Sequence, residues 1–201
     1  MRQVVMIKPG DIEVEEHADP RIVEPTDAII RMSATCICGS DLWPYRGAEE
    51  VERQVMGHEY VGVVEEIGAE VKHIKVGDFV VGSFWASDNT CEICQAGYQA
   101  YCVHRVLMGT IGTQSDRARI PLADGTLVAT PGQPDPDLIP SLMAASDVLG
   151  TGWFAAVAAD VQPGKTVAVV GDGAVGLLGV LAAKQLGAER IIAFSRHESR
   201  Q

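Results

Sequence analysis

The chain has 201 residues, 47% of them hydrophobic, with a formal net charge of −11. That apolar content can fill one substantial core and part of a second, while the acidic balance argues against nucleic acid, whose phosphates need a basic face. No stretch reaches the ~18 uninterrupted apolar residues of a membrane span, and five cysteines, three of them clustered, suit metal binding better than a disulfide framework.

The opening Met1-Arg2-Gln3-Val4-Val5 lacks the apolar core of a secretory signal, so a cytoplasmic location is expected. Short apolar or alternating runs at 4–8, 28–34, 60–67 and 79–84 are bounded by Gly, Pro and Asp. Runs of this length predict strands of an antiparallel barrel or sandwich. Between them lie Cys38-Gly39-Ser40-Asp41 and Gly57-His58-Glu59-Tyr60-Val61-Gly62, the latter continuing to Gly68 and Val71. Further on, Asp88-Asn89-Thr90-Cys91-Glu92-Ile93-Cys94 is followed by Cys102. The cluster Pro131-Gly132-Gln133-Pro134-Asp135-Pro136 breaks the pattern.

Beyond it the texture turns Ala-rich and helical through 138–159, with Asp147 inside that run. Residues 165–170 predict a buried strand, 174–186 a helix closed by Gly187, and 190–195 a second strand, together one βαβ unit of a parallel sheet. The turn between strand and helix is Gly171-Asp172-Gly173-Ala174-Val175-Gly176. In that setting the first glycine permits a tight turn, the second admits a pyrophosphate, and the third lets helix pack on strand. In isolation the same letters are weak evidence, and a plain strand-to-helix loop is the alternative here. The helix N-terminus offers unpaired N–H groups to phosphate. At the second strand's end stands Ser195-Arg196-His197, with no acidic residue for ribose hydroxyls. Arg196 can pair with a 2′-phosphate and Ser195 can donate to it, which favours NADP; a solvated Arg196 with NAD bound is the alternative.

The run from Gly57 to Val71 follows Gly-His-Glu-x2-Gly-x5-Gly-x2-Val, and the chain resembles the zinc-dependent alcohol dehydrogenases of the medium-chain dehydrogenase/reductase superfamily. The resemblance implies a GroES-like antiparallel β-barrel catalytic domain over 1–150. It also implies the start of a Rossmann domain, one βαβ unit, over 151–201. It implies Cys38, His58 and Asp147 as ligands of a catalytic zinc, with Glu59 beside the metal and Ser40 passing the alcohol proton outward. Cys36 competes with Cys38, but the Gly-Ser-Asp after Cys38 favours the latter. Aligned on the family's structural-zinc lobe, Cys91, Cys94 and Cys102 take the last three places and Asp88 the first; a lobe without metal is the alternative.

His17, His73 and His104 have no motif context and are expected as surface or core histidines. Trp43 and Phe154 stand where relatives often carry histidines. The implied activity is reversible hydride transfer between a small alcohol or carbonyl substrate and NADP(H). No nucleic-acid or membrane partner is expected, and the full-length protein is expected as a homodimer or homotetramer. Relatives of this family are longer, so a fragment of a longer enzyme is expected, with a truncated, non-catalytic zinc-binding module as the alternative. The motifs lean weakly toward the branch with formaldehyde- and threonine-dehydrogenase-like members.

Overall fold

The computed structural model describes residues 1–200. The chain divides into two compact units, the first Met1–Ser146 and the second from Asp147 onward. The sequence reading puts the division at residue 150; the structure starts the second unit earlier because the helix that opens it packs on that unit's later helix.

The strands of the first unit, in chain order, are β1 (Arg2–Lys8), β2 (Asp11–Glu16), β3 (Ala28–Thr35), β4 (Gln54–Val55), β5 (Tyr60–Ile67) and β6 (Phe79–Gly82). They continue with β7 (Trp85–Ala86), β8 (Val106–Leu107), β9 (Arg117–Ile120) and β10 (Leu127–Ala129). Five of them form an antiparallel sheet in the order β10-β6-β5-β3-β9. A second antiparallel sheet runs β2-β1-β4, and a single bridge, Gln3 to Ser115, ties β1 to the segment ahead of β9. Alternating apolar residues of the larger sheet, among them Ile30, Tyr60, Val64, Val80 and Ile120, turn inward to one core. Two register shifts in β3 against β5, at Ile29/Ile30 and Met32/Ala34, bend the sheet around that core. This is the antiparallel architecture expected from the strand pattern, and the GroES-like one that the resemblance implies.

Short helices punctuate the loops: α1 (Leu42–Tyr45), α2 (Glu92–Gln95), α3 (Ala123–Thr126) and α4 (Ile139–Ala145). The run expected as continuous helix over 138–159 is broken after α4. Ser146 turns its hydroxyl into the sheet, donating to Gly82 O at 2.6 Å and accepting from Tyr60 N at 3.0 Å. Asp147 then leaves helical backbone with φ −143° and ψ −68°.

The second unit holds α5 (Val148–Ala158), β11 (Thr166–Val170), α6 (Ala174–Gln185) and β12 (Arg190–Phe194). β11 and β12 pair in parallel, Thr166 with Arg190 through Val170 with Phe194, joined by α6 as one βαβ unit. Helices α5 and α6 meet at Gly152, where an added Cβ would lie 2.7 Å from Gly179 N. Ala156, Val161, Ala182 and Ala183 form its small core. Val170, Leu177 and Phe194 remain exposed. No single helix of the described residues is long and apolar enough to cross a membrane.

Candidate active site

Two tight turns bring the first donor set together. Cys38 precedes a 3-10 turn at Gly39–Asp41. Its amide donates to Asp41 Oδ2 at 2.8 Å, which fixes the turn. His58 leads into β5 from Gly57, whose φ of +96° an L side chain rarely adopts and whose Cβ would meet Gln114 N at 2.5 Å. The next two glycines of the signature are required by close approach: a Cβ on Gly62 would lie 2.3 Å from Arg31 O, and one on Gly68 2.2 Å from Pro25 O. The outcome is that Cys38, His58 and Glu59 each offer a ligand atom within 4.8 Å of the others'. Cys36, at the surface, is outside the group.

Asp41 stands in the motif without a role assigned to it, yet it organises this set. Besides taking the Cys38 amide, its Oδ1 lies 3.5 Å from His58 Nδ1, with both side chains almost buried. With Nδ1 turned to a carboxylate, Nε2 is the ring nitrogen left for a metal, an arrangement that orients metal-binding histidines generally. Gln114 closes the shell, donating to Cys36 O at 3.1 Å and to Asp41 Oδ2 at 3.5 Å. Glu59 is buried, its carbonyl accepting from Thr35 Oγ1 at 2.9 Å. Thiol, imidazole and carboxylate are the donors zinc takes, so the residues fit that metal. Ser40, exposed, lines an adjoining cavity of about 660 Å³ together with Trp43, Glu49 and Arg53. Asp147 begins the second unit directly after Ser146, at the N-cap of α5.

The second donor set is compact in sequence and in space. Asp88, Cys91, Cys94 and Cys102 offer ligand atoms that all lie within 4.8 Å of one another. Cys91 Sγ is 3.4 Å from Cys94 Sγ and 4.0 Å from Cys102 Sγ. Amides of Asp88 and His104 both point at Cys102 Sγ at 3.4 Å. Asp88 forms an Asx turn, its Oδ1 accepting from Thr90 N at 2.9 Å and Cys91 N at 3.1 Å, with Asn89 left-handed at φ 56° between them.

Its other oxygen meets His104 Nδ1 at 2.6 Å. The histidine expected to lack a role therefore touches the cluster. Burial opposes ionisation of Asp88, but the bond from His104 and the two amides outweigh it and hold the carboxyl far below the usual range. Burial and then the neighbouring thiols push the Cys94 thiol up to about 12. A metal that binds thiolate removes such a proton, and three thiolates with one carboxylate fit zinc.

In the second unit, Gly171 adopts φ +114° and a Cβ on Gly176 would press on Gly171 O at 2.2 Å, so turn and helix close together. Around Gly173, at the N-cap of α6, nothing lies within 4 Å of where a Cβ would stand. Ala174 and Val175 open the helix beyond it. The open glycine before a helix of 12 residues fits a pyrophosphate. The Ser195 hydroxyl, read as a donor to phosphate, donates at 2.6 Å to Asp172 Oδ2 of the glycine turn. Asp172 also pairs with Arg200 at 3.5 Å. The bond from Ser195 outweighs desolvation and, with Arg200, holds the Asp172 carboxyl below its ordinary value. Arg196 lies at the surface past the strand end.

Residues 24–132 match the alcohol dehydrogenase GroES-like domain. Across the whole chain, zinc-type alcohol dehydrogenase B of Aspergillus flavus is 37% identical, the match covering 48% of that protein. The medium chain reductase/dehydrogenase ucsI of Acremonium sp is 36% identical, with 71% of its length covered. Among solved structures, alcohol dehydrogenase TADH from Thermus sp. ATN1 superposes with a TM-score of 0.91 at 34% identity, covering 100% of this chain and 59% of that one. The chain spans about half the length of most curated relatives it matches. By its domain match, its fold and these relatives, the chain belongs to the zinc-type alcohol dehydrogenase family of the medium-chain dehydrogenase/reductase superfamily.

Proposed function

We propose that the whole protein is a zinc-dependent oxidoreductase moving a hydride reversibly between a small alcohol and its aldehyde or ketone, with NADP(H) as cofactor. The convergence of Cys38, His58 and Glu59, with Asp41 holding the first two, carries this reading. Asp147 is the third protein ligand of the catalytic zinc. Supporting this, Ser146 is bonded to Tyr60 N, two residues past His58, and Asp147 follows one peptide later, ~3.8 Å on between Cα atoms. A zinc held by these three would keep a position open for substrate, with Glu59 beside it.

Zinc held there supplies Lewis-acid polarisation of the substrate oxygen, and NADP supplies the hydride acceptor. The chain's own residues do the rest. Asp41 keeps the His58 ring in one tautomer and orientation. Ser40 Oγ takes the substrate's hydroxyl proton and releases it into the cavity it lines. Trp43, on the same wall, has no titratable group and does not itself relay that proton; its indole provides apolar surface for the substrate's carbon end. The Gly171–Gly176 turn seats the pyrophosphate, and Arg196 meets the 2′-phosphate. Asp88, Cys91, Cys94 and Cys102 hold a second zinc that ties down their loop.

The test is metal analysis with steady-state kinetics on the whole protein. Two zinc ions per subunit and NADP-dependent oxidation of small alcohols, abolished by Cys38→Ser or His58→Ala, are expected. Bound zinc without turnover of any alcohol or carbonyl substrate would favour a non-catalytic zinc-binding module. Arg196→Ala should lower kcat/KM for NADP by roughly tenfold or more, the scale of one charge-assisted contact, and leave NAD nearly unchanged. The Asp172 carboxylate beside the strand end favours NAD as the second reading, and a wild-type preference for NAD would decide for it.

A further inference from the structure

The lobe of Asp88, Cys91, Cys94 and Cys102 differs from a four-thiolate site at one ligand, and the residues around that ligand account for how it can serve. A carboxylate has about four acceptor positions. In Asp88 two are taken by the amides of Thr90 and Cys91 and one by His104 Nδ1, which leaves one oxygen position for a metal. The Asp88 side chain is only 12% exposed, whereas His104 stands 66% exposed at the edge of the lobe. The imidazole therefore covers the carboxylate from the solvent side and stops it rotating. The amide of His104 separately points at Cys102 Sγ, so the residue touches the cluster through ring and backbone alike. A change of side chain removes only the ring contact.

We propose that His104 is a positioning residue for the lobe's metal: its ring holds Asp88 in the single-oxygen geometry that lets a carboxylate stand in the fourth place. This rests on the reading of the lobe as a zinc site. The ring donates through Nδ1–H, since an ionised carboxylate only accepts.

The experiment titrates zinc against a chelator in the full chain carrying Cys38→Ala and His58→Ala, so that only the lobe binds, with cobalt(II) as an optical probe of the thiolates. His104→Ala should weaken zinc about 10–100-fold, the usual cost of losing such an outer partner. His104→Gln, which keeps a donor, should recover most of the affinity. In an Asp88→Ala background, His104→Ala should change nothing further, because its effect runs through Asp88. Circular dichroism of the metal-free variants checks that each folds.

Equal affinity of His104→Ala and the parent overturns the proposal. So does an undiminished loss in the Asp88→Ala background, which would make His104 itself a ligand or a merely structural residue. A parent lobe that takes up no zinc or cobalt overturns the lobe reading as well, and is told apart by that missing uptake.

Discussion

At the scale of single residues, the signature around His58 was legible because each glycine in it answers a steric need. Gly57 needs a positive φ and has Gln114 against it; Gly62 and Gly68 have carbonyl oxygens where a Cβ would go. Gly57→Ala should cost at least about 2 kcal/mol, read as a lower urea midpoint, since backbone strain and a backbone clash add. Asp41, Gln114 and His104 were not legible as site residues. Their types are ordinary on any surface, and what distinguishes them is a partner far along the chain: Gln114 lies 73 positions from Asp41, and His104 lies 16 from Asp88. Asp41→Asn keeps the size but weakens the acceptor facing His58 and the Cys38 amide. It should loosen zinc about 10–100-fold in a chelator competition while the far-ultraviolet spectrum stays intact.

At the scale of elements, strands and the glycine turn followed their patterns closely. The helix 174–186 is observed at Ala174–Gln185, with Gly187 at φ 91° just beyond it. The strands expected at 60–67 and 165–170 are Tyr60–Ile67 and Thr166–Val170. The long Ala-rich run was misleading as one helix, because nothing in its composition marks a break. Ser146 ends it by bonding to β5 and β6, a tertiary contact that overrides local propensity. Gly176→Ala tests the turn: its methyl would push against Gly171 O and pry α6 from β11. The cost should be about 1–3 kcal/mol, seen as a lower Tm together with weaker cofactor binding in a fluorescence titration.

At the scale of the molecule, long-range ion pairs close the first unit. Asp27 is fully buried and meets Arg119 Nε at 2.6 Å and the amides of Val23 and Glu24 at 3.0 and 2.7 Å. Burial opposes its ionisation, but Arg119 and these amides outweigh that and hold its carboxyl below the ordinary value. A carboxyl depressed by folding stabilises above the unfolded pKa of ~4, and that contribution is lost as pH falls through the lower folded value. Asp27→Asn should therefore cost about 1.5–3 kcal/mol at pH 7. The gap from wild type should narrow below pH 4 in acid-unfolding curves. A gap constant across pH would remove the charge from the explanation.

The two donor sets also differ in how far apart their scaffolds lie along the chain. Asp88 and Cys102 are 14 positions apart, whereas the Tyr60–Ser146 bond beside His58 spans 86. Closing a short loop takes well under a microsecond, while a sheet built on distant pairings matures in milliseconds to seconds. The zinc site proposed for the cysteine lobe can thus form while the chain is still emerging. The donor set around His58 must wait for the sheet to close over Ser146. Zinc delivered in a pulse during refolding should enter the lobe first, and chain growth arrested before Ser146 should leave a product carrying one ion.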